Sequence, residues 1–177
     1  MKERNPLRLD LHALARHPGE MLARRLEVEA PDDLAVGMIG VIPGTPLVID
    51  VTCQSVGDGV LVDGAVEAQL AGQCARCLVQ FERPGRFGVQ ELYYYVGRGP
   101  APGEDDDEEA LFVEDESVDL DPVVREAVVC SLPFSPLCRD ECAGLCQVCG
   151  ADLNLSPGHS CSDTPPSTLD KLISANG

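Results

Sequence analysis

From Leu34 to Val96 apolar and polar residues alternate with a period of two. Leu47, Ile49, Val51 and Cys53 share one side, against Val48, Asp50, Thr52 and Gln54 on the other. Val60, Val62, Gly64, Val66, Ala68 and Leu70 do the same against Leu61, Asp63, Ala65, Glu67 and Gln69. Phe87, Val89, Glu91, Tyr93 and Tyr95 continue the pattern less cleanly. Side chains along a strand point alternately to its two faces, so these runs predict half-buried strands. Gly57-Asp58-Gly59 is a hairpin signal, and Pro43-Gly44 and Pro84-Gly85 mark further turns. An antiparallel meander with one buried and one solvated face is the expected product. Leu7, Leu9 and Leu11 predict a strand or extended arm, broken by His17-Pro18-Gly19; Glu20 to Arg25 reads as a short helical turn.

The period changes near the middle. Asp121-Pro122 is a helix start, with Asp as N-cap and Pro at the first helical position. Val124, Ala127, Val128 and Leu132 then share one face, with Cys130 near it as a core thiol, and Pro133 and Pro136 end the helix. The expected fold class is α+β: a mostly antiparallel β meander with one or two helices and a C-terminal cysteine-rich zinc knuckle. A β-rich domain is expected over 1–132, with an acidic flexible loop at 98–117, and a cysteine-rich appendage and tail over 133–177. In the tail Leu169, Leu172 and Ile173 form a candidate docking patch.

Cysteine spacing brings in chemistry. Cys138, Cys142, Cys146, Cys149 and Cys161 lie within a short stretch, and Cys74 and Cys77 form a second pair upstream. Two residues between cysteines let both sulfurs face one ion, and four thiolates satisfy tetrahedral zinc. Gly150 after Cys149 leaves the backbone free for positive φ. Three groupings compete. The C-terminal cluster is self-contained (Cys142, Cys146, Cys149 and Cys161, with Cys138 as an alternate), which local loop closure favours. Alternatively Cys74 and Cys77 pair with Cys146 and Cys149. In the third grouping seven cysteines and His159 make two sites. All-protein ligand sets leave no open position for substrate, so zinc here is structural. Cys53 reads as a core residue. Arg76 between Cys74 and Cys77 reads as an exposed turn residue, and His12 and His17 as surface residues.

No apolar run approaches the roughly 18 residues of a membrane span, and the N-terminus lacks the apolar core of a secretory signal. The expected compartment is the cytoplasm, where thiols stay reduced. The formal charge is −17, which repels phosphate backbones and attracts basic partners. Between Gly99 and Asp121 stand eleven acidic residues and no basic one, including the block Glu104 to Glu109. Composition of this kind predicts a loosely held segment or an acidic contact. There is no phosphate loop, nucleophile elbow or His-Glu metal motif, and no βαβ context for a redox Cys-x-x-Cys. No catalytic residue is expected.

The order of these pieces resembles the YceD-like family, also called large ribosomal RNA subunit accumulation proteins. The resemblance rests on Cys74-Ala75-Arg76-Cys77-Leu78 and Phe81, the acidic loop, Asp119-Leu120-Asp121, Leu132-Pro133, Cys142-Ala143-Gly144-Leu145-Cys146-Gln147-Val148-Cys149-Gly150, and Leu153-Asn154. It covers about residue 7 to 172. It implies a non-enzymatic role in synthesis, processing or stability of large-subunit ribosomal RNA, in a bacterial or organellar setting. Combined with the charge, the expected partner is a basic ribosomal protein or large-subunit precursor particle. A zinc-knuckle protein binding ribosomal RNA directly is the alternative.

Overall fold

The computed structural model describes residues 5–14, 18–99 and 110–161. The chain divides into two compact units, one of residues 1–72 and 82–134, the other of 73–81 and 135–177. Residues 73–81 thus group with the C-terminal cysteines, whereas the sequence reading placed Cys74 and Cys77 in the β-rich part.

The strands are β1 (Arg8–Asp10), β2 (Met21–Glu29), β3 (Ala35–Val36), β4 (Ile39–Val41), β5 (Pro46–Ser55), β6 (Gly59–Gln73), β7 (Gln80–Tyr94), β8 (Leu111–Phe112) and β9 (Ser117–Asp119). One helix, α1, spans Asp121–Ser131. The main sheet runs β2-β5-β6-β4-β3, with β7 paired to β6 and β8 to β7. The β2–β5, β3–β4, β4–β6 and β5–β6 pairings are antiparallel, and β7–β8 is parallel. β1 and β9 form a separate antiparallel pair. The fold is therefore mostly antiparallel β with one helix and cysteine clusters in the C-terminal half.

The strongest alternation makes the centre. Leu47, Ile49 and Cys53 of β5 and Val62 and Val66 of β6 are fully buried. Burial pushes the Cys53 thiol up to about 11, with Arg24 opposing. Ser55↔Val60 closes the expected hairpin at Gly57-Asp58. Tyr93 is buried, and its hydroxyl donates to the Asp119 carbonyl at 2.6 Å.

Five local expectations change. Residues 20–25 are not helical: β2 lies there, because Leu22, Leu26 and Val28 alternate and pair with Cys53, Ile49 and Leu47 of β5. Pro84-Gly85 is no turn but lies inside β7. A strand tolerates Pro where no ladder donor is needed, and a Cβ at Gly85 would meet the Leu70 and Phe87 side chains at 2.8 and 2.9 Å. Leu120, not Asp121, is the N-cap of α1, and Asp119 accepts the Asp121 N–H at 2.9 Å. Cys130 is exposed, because it stands about 200° round the helix from buried Val128. Residues 110–117 are not loose, since Leu111 and Phe112 pair with β7 and Val113 is buried. The acidic block 104–109 and the patch Leu169, Leu172 and Ile173 lie outside the described residues.

Candidate metal centres

The described residues of the second unit form almost no apolar interior. Among its described residues only Cys74, Pro136, Cys142 and Gly144 are buried. Its order comes from two similar turns. In the first, the Leu78 N–H reaches the Cys74 carbonyl at 2.9 Å; in the second, the Gly150 N–H reaches the Cys146 carbonyl at 2.8 Å. Both turns need a left-handed residue after the second cysteine. Gly150 adopts φ 75° and Leu78 φ 60°. Glycine does so freely, whereas a leucine there costs about 1–2 kcal/mol. The Ala75 N–H donates to the Pro136 carbonyl at 2.8 Å, and the Arg76 guanidinium donates to the Cys142 carbonyl at 2.9 Å. Arg76 is an exposed turn residue, as expected, and it is also a staple between 73–81 and 135–177.

These contacts gather the ligand atoms into two tetrads. One is Cys74, Cys77, Cys138 and Cys142; the other is Cys146, Cys149, His159 and Cys161. Within each, the sulfurs and ring nitrogen lie within 4.8 Å of one another. Cys74–Cys142 and Cys77–Cys138 sulfurs are 3.7 Å apart, and Cys146–Cys161 sulfurs 3.6 Å. Cys149 Sγ is 3.3 Å from His159 Nε2. A tetrahedron with zinc–sulfur bonds of about 2.3 Å has edges of about 3.8 Å, so the spacing fits that ion. It does not fit disulfides, whose sulfurs bond at about 2.05 Å.

The self-contained C-terminal grouping does not occur, because Cys142 turns to Cys74. Nor do Cys74 and Cys77 meet Cys146 and Cys149. The third grouping, seven cysteines with His159, matches the geometry. In the sequence, His159 stood as a ligand only in that third grouping. The signal available for it was arithmetic, since seven thiols leave one corner of two tetrahedra empty.

Electrostatics inside the tetrads follow the turns. Burial raises the Cys74 thiol, but the N–H groups of Cys77, Cys138 and Arg76 and the Cys77 thiol outweigh it and hold Cys74 down at about 6. The N–H groups of Cys149 and Val148 hold Cys146 down at about 6, against burial. Burial and the neighbouring Cys77, Cys142 and Cys74 push Cys138 up to about 12. Hydrogen bonds to Cys149 and Cys146, with burial, push Cys161 up to about 12. Cys74 and Cys146, the first cysteine of each Cys-x-x-Cys, therefore ionise most readily, while Cys138 and Cys161 hold their protons more tightly until an entering cation displaces them.

With this geometry in view, relatedness to known proteins becomes informative. Residues 62–173, more than half of the chain and covering both tetrads, match the family model for "large ribosomal RNA subunit accumulation protein YceD". The chain belongs to the YceD family. Similar proteins include uncharacterized proteins of Mycobacterium bovis and Mycobacterium tuberculosis, 37% identical over 155 residues, which is 88% of this chain and 74% of theirs. An uncharacterized protein of Mycobacterium leprae is 31% identical over the same share of this chain and 71% of its own. No solved structure matches. YceD membership implies a role in accumulation of large-subunit ribosomal RNA. No helix among the described residues is long and apolar enough to cross a membrane.

Proposed function

We propose that this YceD-family chain is a non-enzymatic factor in synthesis, processing or stability of large-subunit ribosomal RNA. In this reading it works in the cytoplasm by contacting a basic ribosomal protein or large-subunit precursor particle. Its seven clustered cysteines and His159 hold two structural zinc ions. Thiolate-rich sets select zinc over hard cations such as magnesium. Four protein ligands per ion leave no corner for substrate or activated water, which favours scaffolding over catalysis.

The observation carrying the partner reading is the uneven charge. The β-rich unit has 10 basic and 25 acidic residues, a net −15, whereas the cysteine unit has 3 and 5, a net −2. A protein that gripped bare RNA would need the opposite sign, because nucleic-acid affinity comes largely from phosphate neutralisation. An acidic surface instead speeds encounter with a basic protein.

The test is a pull-down of the tagged chain from cells, with captured proteins and RNA both identified, followed by binding to purified large-subunit proteins and to a ribosomal RNA fragment. The expected result is capture of basic large-subunit proteins, weakened by salt and by changing Glu104 through Glu109 to Gln and Asn. Tight binding of the purified chain to the RNA fragment at physiological salt, indifferent to those changes, would favour direct RNA binding instead.

A further inference from the structure

Asn154 lies in the loop between Cys149 and His159, yet its side chain reaches the other tetrad. Its Nδ2 donates to Cys142 Sγ at 3.5 Å and to Asp152 Oδ1 at 2.8 Å. Its Oδ1 accepts from the Ala143 N–H at 2.8 Å and the Arg139 guanidinium at 2.6 Å. The orientation of the amide is fixed by these partners. Flipped, its oxygen would face the Cys142 sulfur and a carboxylate, and its NH2 would face two donors.

The backbone that carries Asn154 is organised by the second tetrad. The Cys146 N–H donates to the Ala151 carbonyl at 2.8 Å, and Leu145 bridges to Asp152. The Leu153 N–H donates to the Gly144 carbonyl at 2.9 Å. These bonds close a hairpin whose tip is the Cys146–Cys149 turn. Its far arm, after Asn154, returns to the second tetrad through His159 and Cys161. Almost no apolar burial supports this hairpin, so ligation of Cys146, Cys149, His159 and Cys161 is what would hold it closed.

We infer that Asn154 is a positioning residue that couples the two metal sites: filling the Cys146–Cys149–His159–Cys161 tetrad secures its hydrogen bond to Cys142 and tightens metal at the Cys74–Cys77–Cys138–Cys142 tetrad. A donor to a metal-bound thiolate offsets excess charge on sulfur and fixes its direction, and losing such a partner typically costs 10–100-fold in metal affinity. Coupling between two sites is reciprocal, so the first tetrad also favours filling of the second. This inference rests on the reading that both tetrads take metal.

The test uses the full chain and cobalt(II), which reports thiolate number through its visible spectrum, with zinc affinities from chelator competition. His159→Ala with Cys161→Ala disables the second tetrad and is expected to weaken zinc at the first about tenfold. Asn154→Asp keeps the acceptor for Ala143 and Arg139 but turns an oxygen toward Cys142. It is expected to weaken the first site similarly and to shift its sulfur-to-cobalt charge-transfer band to lower energy. In the Asn154→Asp background, disabling the second tetrad should add little, since both changes break one link. Two filled sites with independent affinities, or fully additive effects, would overturn the coupling while leaving the metal reading intact. Failure of the unaltered chain to take up cobalt or zinc at all would overturn the metal reading itself.

Discussion

The two units are held together by different physics. In the β-rich unit Leu47, Ile49, Val62, Val66 and Val128 are fully buried, and each such side chain contributes about 1.5–3 kcal/mol through removal from water. In the cysteine unit the buried described residues are two cysteines, a proline and a glycine. So few buried apolar side chains among the described residues contribute little to its order. In the proposed reading, the comparison teaches that one chain divides its stability between hydrophobic packing, which is spread over many residues, and metal ligation, which is concentrated in the eight residues of the two tetrads.

The sharpest way to break the comparison is to remove metal. Structural zinc can supply on the order of 10 kcal/mol of folding free energy to a small module. Chelation is therefore expected to abolish hydrogen-exchange protection in 73–81 and 135–161 while β5 and β6 keep theirs. Uniform loss across both units would show that they are not separately held.

Single substitutions should divide the same way. Cys146→Ser or Cys74→Ser is expected to lower zinc content by about one equivalent and leave the sheet's unfolding transition in place. Ile49→Ala is expected to lower sheet stability by about 2–5 kcal/mol with zinc content unchanged. Cys53→Ser should also keep its zinc, because Cys53 is a buried core thiol that belongs to neither tetrad. Denaturant unfolding combined with elemental analysis separates the two outcomes.

This division explains what was legible beforehand. The period-two runs of β5 and β6 are strong because one face is fully buried, so strand, hairpin and core could all be read. β2 was harder, since its inward positions include Arg24 and are only half-buried. The cysteines announced ligand clusters by spacing, but their grouping did not follow from it. Cys74 and Cys142 are 68 positions apart, and the Ala75–Pro136, Arg76–Cys142 and Leu145–Arg76 bonds help bring them together. Local loop closure favoured the wrong grouping because it counts chain entropy and omits those bonds.

Thiol reactivity gives a smaller contrast. Cys130 is exposed, whereas Cys53 is buried with its thiol raised to about 11. A raised thiol stays protonated, and unreactive, until pH climbs past that value, because the thiolate is the nucleophile. Alkylation of the zinc-loaded protein near pH 8 is expected to label Cys130 first and Cys53 only on unfolding. Smallest of all, Leu78→Gly should relieve the left-handed strain at the first turn and stabilise it by up to about 1 kcal/mol, whereas Gly150→Ala should destabilise the second by a similar amount. Chelator-competition affinities for the two variants would resolve the opposite signs.

The most direct measurement is the metal content of protein purified without added metal, by elemental analysis against protein concentration. Two separate tetrads predict about two zinc ions per chain, falling to about one when His159→Ala and Cys161→Ala are combined. One zinc or fewer in the unaltered chain, or no loss in the double variant, would contradict the account.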